Sequence, residues 1–99
     1  MTSINPATGE VYLTSPKSDA EDVDRAYRAA AAAFETWRDT TPSERQRALL
    51  KFADAIEARA DEVIAVESEN TGKPISLTTS EEMPPMLDQI RFFAGAARL

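Results

Sequence analysis

Thr41-Pro42-Ser43-Glu44 leaves the chain behind it little choice but a helix. A threonine hydroxyl, a proline where no N–H is needed, and a glutamate that reaches back together make a capping box. Leu49, Phe52, Ala53, Ile56, Ala60 and Val63 then recur at the three- and four-residue spacing of one helical face. Arg45, Arg47, Lys51, Glu57, Arg59 and Asp61 fall mostly on the outer side. Asn70-Thr71-Gly72 supplies the stop, because Gly72 suits a left-handed cap and Pro74 cannot continue the helix. The pattern predicts a helix over about residues 42–69.

The flanking segments follow by the same reasoning. Ser18-Asp19-Ala20-Glu21 reads as a capping box in which Ser18 accepts the backbone N–H, opening a helix over about 19–38. Val23, Ala26, Tyr27, Ala30, Phe34 and Trp37 share its face, so Tyr27 and Trp37 are expected in the core. The run Ala29 to Ala33 adds helix propensity. Ahead of it, Ile4 and Val11, Tyr12, Leu13 flank the turn residues Asn5-Pro6-Ala7-Thr8-Gly9, predicting a hairpin over about 3–16. Such a hairpin is marginal alone and needs a docking partner.

The last helix spans about 80–99. Either it starts at Pro84, or a first turn from Ser80 precedes a distortion at Pro84-Pro85. Met86, Leu87, Ile90, Phe93, Ala94 and Ala97 share one face, while Phe92, Ile64, Leu50, Val11 and Leu13 lie outside any three-helix seam. The apolar periodicity is still running at Leu99, which reads as a truncation. Apolar surface left outside the seam predicts self-association.

Composition narrows the chemistry. Ninety-nine residues make one domain or a piece of one. Seventeen acids against eleven bases give a net charge of −6, which speaks against nucleic acid and against an anionic membrane surface as partners. Cysteine and histidine are both absent, which removes thiolate and imidazole nucleophiles, bases and metal ligands. No apolar run approaches membrane-spanning length and no secretion signal opens the chain, so the expected location is cytoplasmic.

The adjacent carboxylates Glu67 and Glu69, Glu81 and Glu82, and Asp22 and Asp24 sit on helix surfaces or caps, where a solvated face is expected rather than an acid–base pair. Gly72-Lys73-Pro74 lacks the pattern of a phosphate loop, and Lys73 is expected to answer the helix dipole. Met83 and Met86 read as gap-filling apolar residues. The residues alone describe an acidic helical interaction module with no catalytic machinery.

Six blocks, in order, resemble the aldehyde dehydrogenase superfamily. They are Ile4-Asn5-Pro6-Ala7-Thr8-Gly9-Glu10-Val11, Ser18-Asp19-Ala20-Glu21-Asp22-Val23-Asp24, Ala33-Phe34-Glu35-Thr36-Trp37, Thr41-Pro42-Ser43-Glu44-Arg45, Glu67-Ser68-Glu69-Asn70-Thr71-Gly72-Lys73-Pro74 and Arg91-Phe92-Phe93-Ala94-Gly95. The stretch from Glu82 to Ile90 looks most like the branch acting on 4-aminobutyraldehyde, betaine aldehyde and related aminoaldehydes. The resemblance implies an α/β, Rossmann-related fold, of which residues 1–99 would be the mainly helical opening part of the NAD(P)-binding domain. It implies NAD-dependent oxidation of a small-molecule aldehyde to its acid by a homo-oligomer.

The cysteine, glutamate and asparagine of that chemistry, and the groups that hold the dinucleotide, would all lie downstream. The chain itself would then carry no catalytic or cofactor-binding residue and be inactive alone. Some betaine and aminoaldehyde members also hold a monovalent cation such as potassium. Its backbone ligands match Ser3, Ile4 and Asn70, although Asn70 also suits ordinary helix capping. The other class of reading is a stand-alone module that binds a partner through its apolar faces.

Overall fold

The computed structural model describes all of residues 1–99. Strands β1 (Thr2–Ile4) and β2 (Val11–Thr14) pair antiparallel, with Thr2 opposite Thr14, Ser3 opposite Leu13 and Ile4 opposite Val11. A bulge between Ser3 and Ile4 shifts the register. The turn forms from the residues expected of it. Asn5 Oδ1 accepts the Ala7 N–H at 2.9 Å, and Gly9 takes a φ of +75° that would strain another residue.

Helix α1 runs Ala20–Trp37. Its cap is Asp19 rather than the expected Ser18. The Asp19 carboxylate accepts from Glu21 and Asp22 N–H at 2.9 and 3.1 Å, and Asp22 reaches back to the Asp19 N–H at 3.0 Å. A full negative charge gains more from the helix dipole than a serine hydroxyl does, so the box sits one residue later.

Helix α2 runs Pro42–Ala58 behind the predicted Thr41 box. Glu44 N–H donates to Thr41 Oγ1 at 3.3 Å, and Glu44 Oε2 accepts the Thr41 N–H at 2.7 Å. The Thr41 N–H bond to that carboxylate foremost, and then the Thr41 Oγ1–H bond to Glu44 Oε2 at 2.8 Å, hold the Glu44 carboxyl below its ordinary pKa. Thr41→Ala should cost about 0.5–2 kcal/mol by removing the cap. Coincident thermal melts of parent and variant would reject that role.

The long second helix expected over 42–69 is two helices. Arg59 leaves the helical region at φ −117°, ψ 23°, and α3 (Ala60–Thr71) restarts beyond it. The break resets the helical phase, so Ile64 is buried where Val63 was expected, and Val63 is exposed. Gly72 closes α3 at φ +76°, its N–H bonded to Ser68 O at 2.9 Å.

The last segment combines both alternatives. A single turn, α4 (Ile75–Leu77), leads into a π-helical turn over Thr78–Glu82, and α5 (Met83–Ala96) follows with Pro84 and Pro85 in its first turn. Met83 N–H bonds Thr78 O, five residues back. Hydroxyls of Thr79 and Ser80 take the carbonyls of Ile75 and Ser76 at 2.7 and 2.9 Å.

The core is small. Ala53 from α2, Ile64 from α3, and Met83 and Leu87 from α5 form one buried cluster, with Ile56, Ala60 and Ile90 packed around it. Helix α1 adds nothing to it: Tyr27, Phe34 and Trp37 are 74%, 55% and 46% exposed. Their expected place in the core is corrected, because no other element packs along α1. Phe52 and Phe93 are likewise exposed, and Met86 lies outside while Met83 is buried. The chain is a slab of 48 × 38 × 17 Å. Its radius of gyration is 17.4 Å, against about 13 Å for a compact chain of this length. No helix is long and apolar enough to cross a membrane.

Candidate functional site

The sequence places its candidate residues at two ends of one junction. Ser3 is half-buried in β1 beside the bulge, and Ile4 is exposed. Asn70 lies in the last turn of α3. The contacts that seat the hairpin there belong to its other residues. Tyr12 OH donates to Asn70 Oδ1 at 3.0 Å across the junction. The Pro6 ring lies against Gly72 so closely that a Cβ there would sit 2.8 Å from Pro6 Cγ. Asn70 therefore serves as an acceptor for Tyr12, and the capping expected of it falls to Gly72. No hydrogen bond joins Ser3 or Ile4 to Asn70.

Beside that junction, Lys73 Nζ lies 2.5 Å from Glu82 and 3.8 Å from Glu67. It bridges the end of α3 to the π-turn instead of merely answering a helix dipole. The hydrogen bond to Glu82 raises its pKa above the ordinary lysine value. A cleft of about 260 Å³ opens next to it, lined by Val63, Glu67, Thr78, Glu82, Met83 and Met86. Thr78, only 4% exposed, keeps a buried hydroxyl with no partner. No three acidic side chains converge on a point that could hold a metal ion.

A second charged cluster ties α2 to α5. Arg91 reaches Glu57 at 2.5 Å and Asp54 at 3.0 Å. The Arg91 hydrogen bond, followed by its charge, pulls the Glu57 carboxyl below its ordinary value of 4.5. Because the folded value is the lower one, this contribution is present above 4.5 and is lost as pH falls through the depressed value. Denaturation of the parent should therefore steepen on acidification in that window, and Arg91→Met should flatten the dependence. Parallel stability–pH curves for the two proteins would contradict the clamp. The other expected surface carboxylates behave as such: Asp22 completes the α1 cap and Asp24 pairs with Arg28 at 2.7 Å.

These clusters stabilise and position, but none brings a nucleophile, a base and an acceptor together. The chain's family has to come from its pattern as a whole. A profile of the aldehyde dehydrogenase family matches residues 1–99, the entire chain. The chain belongs to the aldehyde dehydrogenase family. A 2-aminomuconic semialdehyde dehydrogenase from Danio rerio is 43% identical over 94 residues, which is 95% of this chain and 19% of that protein. An acetaldehyde dehydrogenase 2 from Cupriavidus necator is 40% identical over 96 residues, 97% of this chain and 19% of its own length.

An aldehyde dehydrogenase from Bacillus cereus, solved as an NAD+ complex, superposes with a TM-score of 0.91 at 32% identity. That match covers 96% of this chain and 20% of the Bacillus protein. The chain thus spans about one fifth of the length of the relatives it matches. The aldehyde dehydrogenase fold class holds, with this part of it mainly helical and carrying one short two-stranded sheet. Sequence reasoning missed the Tyr12 and Arg91 contacts, which join residues 58 and 34 positions apart and leave no local signal.

Proposed function

We propose that residues 1–99 are the opening part of the NAD(P)-binding domain of an enzyme that oxidises an aldehyde to its carboxylic acid with NAD. The observation that carries this reading is a family match over the whole chain, joined to close superposition on a relative solved with NAD+. Within the family chemistry, a thiolate adds to the aldehyde, hydride leaves to the dinucleotide, and water releases the acid. With no cysteine or histidine, this chain supplies none of those groups and is inactive alone. Its own contribution is scaffolding: the hairpin, the α3 end and the α2–α5 pair hold their places without touching the reacting atoms.

The substrate class in this reading is an aminoaldehyde such as 4-aminobutyraldehyde or betaine aldehyde. It rests on the Glu82–Ile90 stretch, beside relatives named for 2-aminomuconic semialdehyde as well as for acetaldehyde and long-chain aldehydes. A monovalent cation such as potassium belongs to the same reading, with backbone carbonyls of Ser3, Ile4 and Asn70 as ligands. Hard cations take such oxygens. Asn70 also lies in the last turn of α3, and Pro74, four residues on, has no N–H to offer its carbonyl. The whole enzyme is read as a cytoplasmic homo-oligomer. The exposed aromatic residues of α1 and α5 support self-association of the chain itself.

Grafting this chain in place of the matching fifth of the Bacillus cereus enzyme tests the scaffolding role. The chimera should still reduce NAD with an aldehyde, whereas the isolated chain with 4-aminobutyraldehyde and NAD should give no NADH above a blank. A folded but silent chimera would overturn the reading, as would turnover by the rigorously purified chain.

A further inference from the structure

Helix α1 is fastened in an unusual way. None of its 18 residues is buried, so packing does not set its direction. At its C-terminal end, Arg38, Asp39 and Thr40 N–H bond back to Phe34, Thr36 and Trp37 carbonyls at 2.9, 3.2 and 3.1 Å. Thr40 Oγ1 donates to Trp37 O at 2.7 Å. These bonds finish the helix but tie it to nothing beyond itself. Beyond the Thr41–Glu44 capping box, which belongs to α2 itself, two side-chain hydrogen bonds cross from α2 to the end of α1, and both come from Arg45. Its Nε donates to Thr40 Oγ1 at 3.0 Å and its Nη2 to Arg38 O at 2.9 Å. At the other end, α1 hangs from the hairpin, whose own seat on α3 is the Tyr12–Asn70 bond and the Pro6–Gly72 contact.

We propose that α1 is a strap hinged at Arg38–Thr41, and that Arg45 is the positioning residue that latches its angle to α2. The physical basis is the guanidinium itself, a planar fork that fixes two acceptors in one geometry. Arg45 and Thr40 are both half-buried, so water competes less for the Nε bond than it would on an open surface, while the Nη2 bond to Arg38 O is exposed. Released from the fork, the finished end of α1 is joined to the Thr41–Glu44 cap of α2 only through the Thr40–Thr41 backbone dihedrals, and α1 can swing there as a rigid rod. The latch therefore decides which way Tyr27, Phe34 and Trp37 are presented.

The absence of native cysteine makes a direct test simple. Ala32→Cys on α1 and Lys51→Cys on α2, both at exposed positions, carry a pair of spin labels for distance measurement by pulsed electron resonance in the full chain. The labelled parent should give a single narrow distance distribution. Arg45→Met should lose that peak to a broad envelope while helical ellipticity at 222 nm stays unchanged. Arg45→Lys, whose ammonium lacks the rigid planar fork, should fall between the two. Should Arg45→Met also lose ellipticity, Thr40→Ala decides, because it removes the Nε acceptor and leaves Arg45 in place. A narrow distribution in either folded variant, or a broad one in the parent, overturns the latch.

Discussion

Leu87→Ala should leave much of the chain unfolded at room temperature. Leu87 is one of four side chains in the buried cluster that joins α2, α3 and α5. Truncating a buried leucine removes its transfer free energy and leaves a cavity, together costing about 2–5 kcal/mol. Ordinary domains hold about 5–15 kcal/mol in reserve. Only six of 99 residues are buried here, which puts this chain at or below the low end of that range. Urea titration followed at 222 nm should move the midpoint sharply towards zero denaturant. Phe92→Ala is the control, since Phe92 is exposed and its loss should stay within about 0.5 kcal/mol. Equal midpoints for Leu87→Ala and the parent would mean that the cluster is not the core.

The second large effect belongs to Gly72→Ala. A left-handed backbone costs an ordinary residue about 1–2 kcal/mol, and the new methyl would also meet Pro6 Cγ at 2.8 Å. The proline ring cannot rotate away, so the hairpin has to lift from the end of α3 and give up the Tyr12–Asn70 bond. Two costs of different origin are therefore superposed, and a double-mutant cycle separates them. Pro6→Ala should relieve the clash but not the backbone strain, so Gly72→Ala should be less harmful in that background. Strict additivity of the two substitutions would show that the hairpin is not seated on Gly72.

What could be read from the sequence was what short-range chemistry decides. The Asn5–Gly9 turn, the Thr41 box and the Gly72 stop each depend on residues within a few positions of one another, and each formed as expected. Shifting the α1 cap from Ser18 to Asp19 is a contest between two adjacent good caps. The break at Arg59 was illegible because Glu57, Ala58, Arg59 and Ala60 all favour helix, so packing of Ile64 against Ala53 outweighs local propensity. Periodicity identified the apolar face of α1 correctly but cannot say whether anything lies over it. At the candidate site, Asn70 was marked from sequence, while its partner Tyr12, 58 residues away, was not.

The π-helical turn at Thr78–Glu82 bears on how this fold tolerates changes in chain length. A π-turn is an α-helix that has absorbed one additional residue. The phase of α5 is set by its contacts with α2 and by the Arg91 clamp, both of which lie downstream of that turn. Losing one residue from the turn would let α4 run into α5 as regular helix and rotate only the short α4 segment, with Ile64, Met83 and Leu87 still meeting one another. The same loss inside α2 or α5 would turn a core face towards water. Among the helical segments from Pro42 onward, a one-residue change in length should therefore cost the core least between Gly72 and Met83.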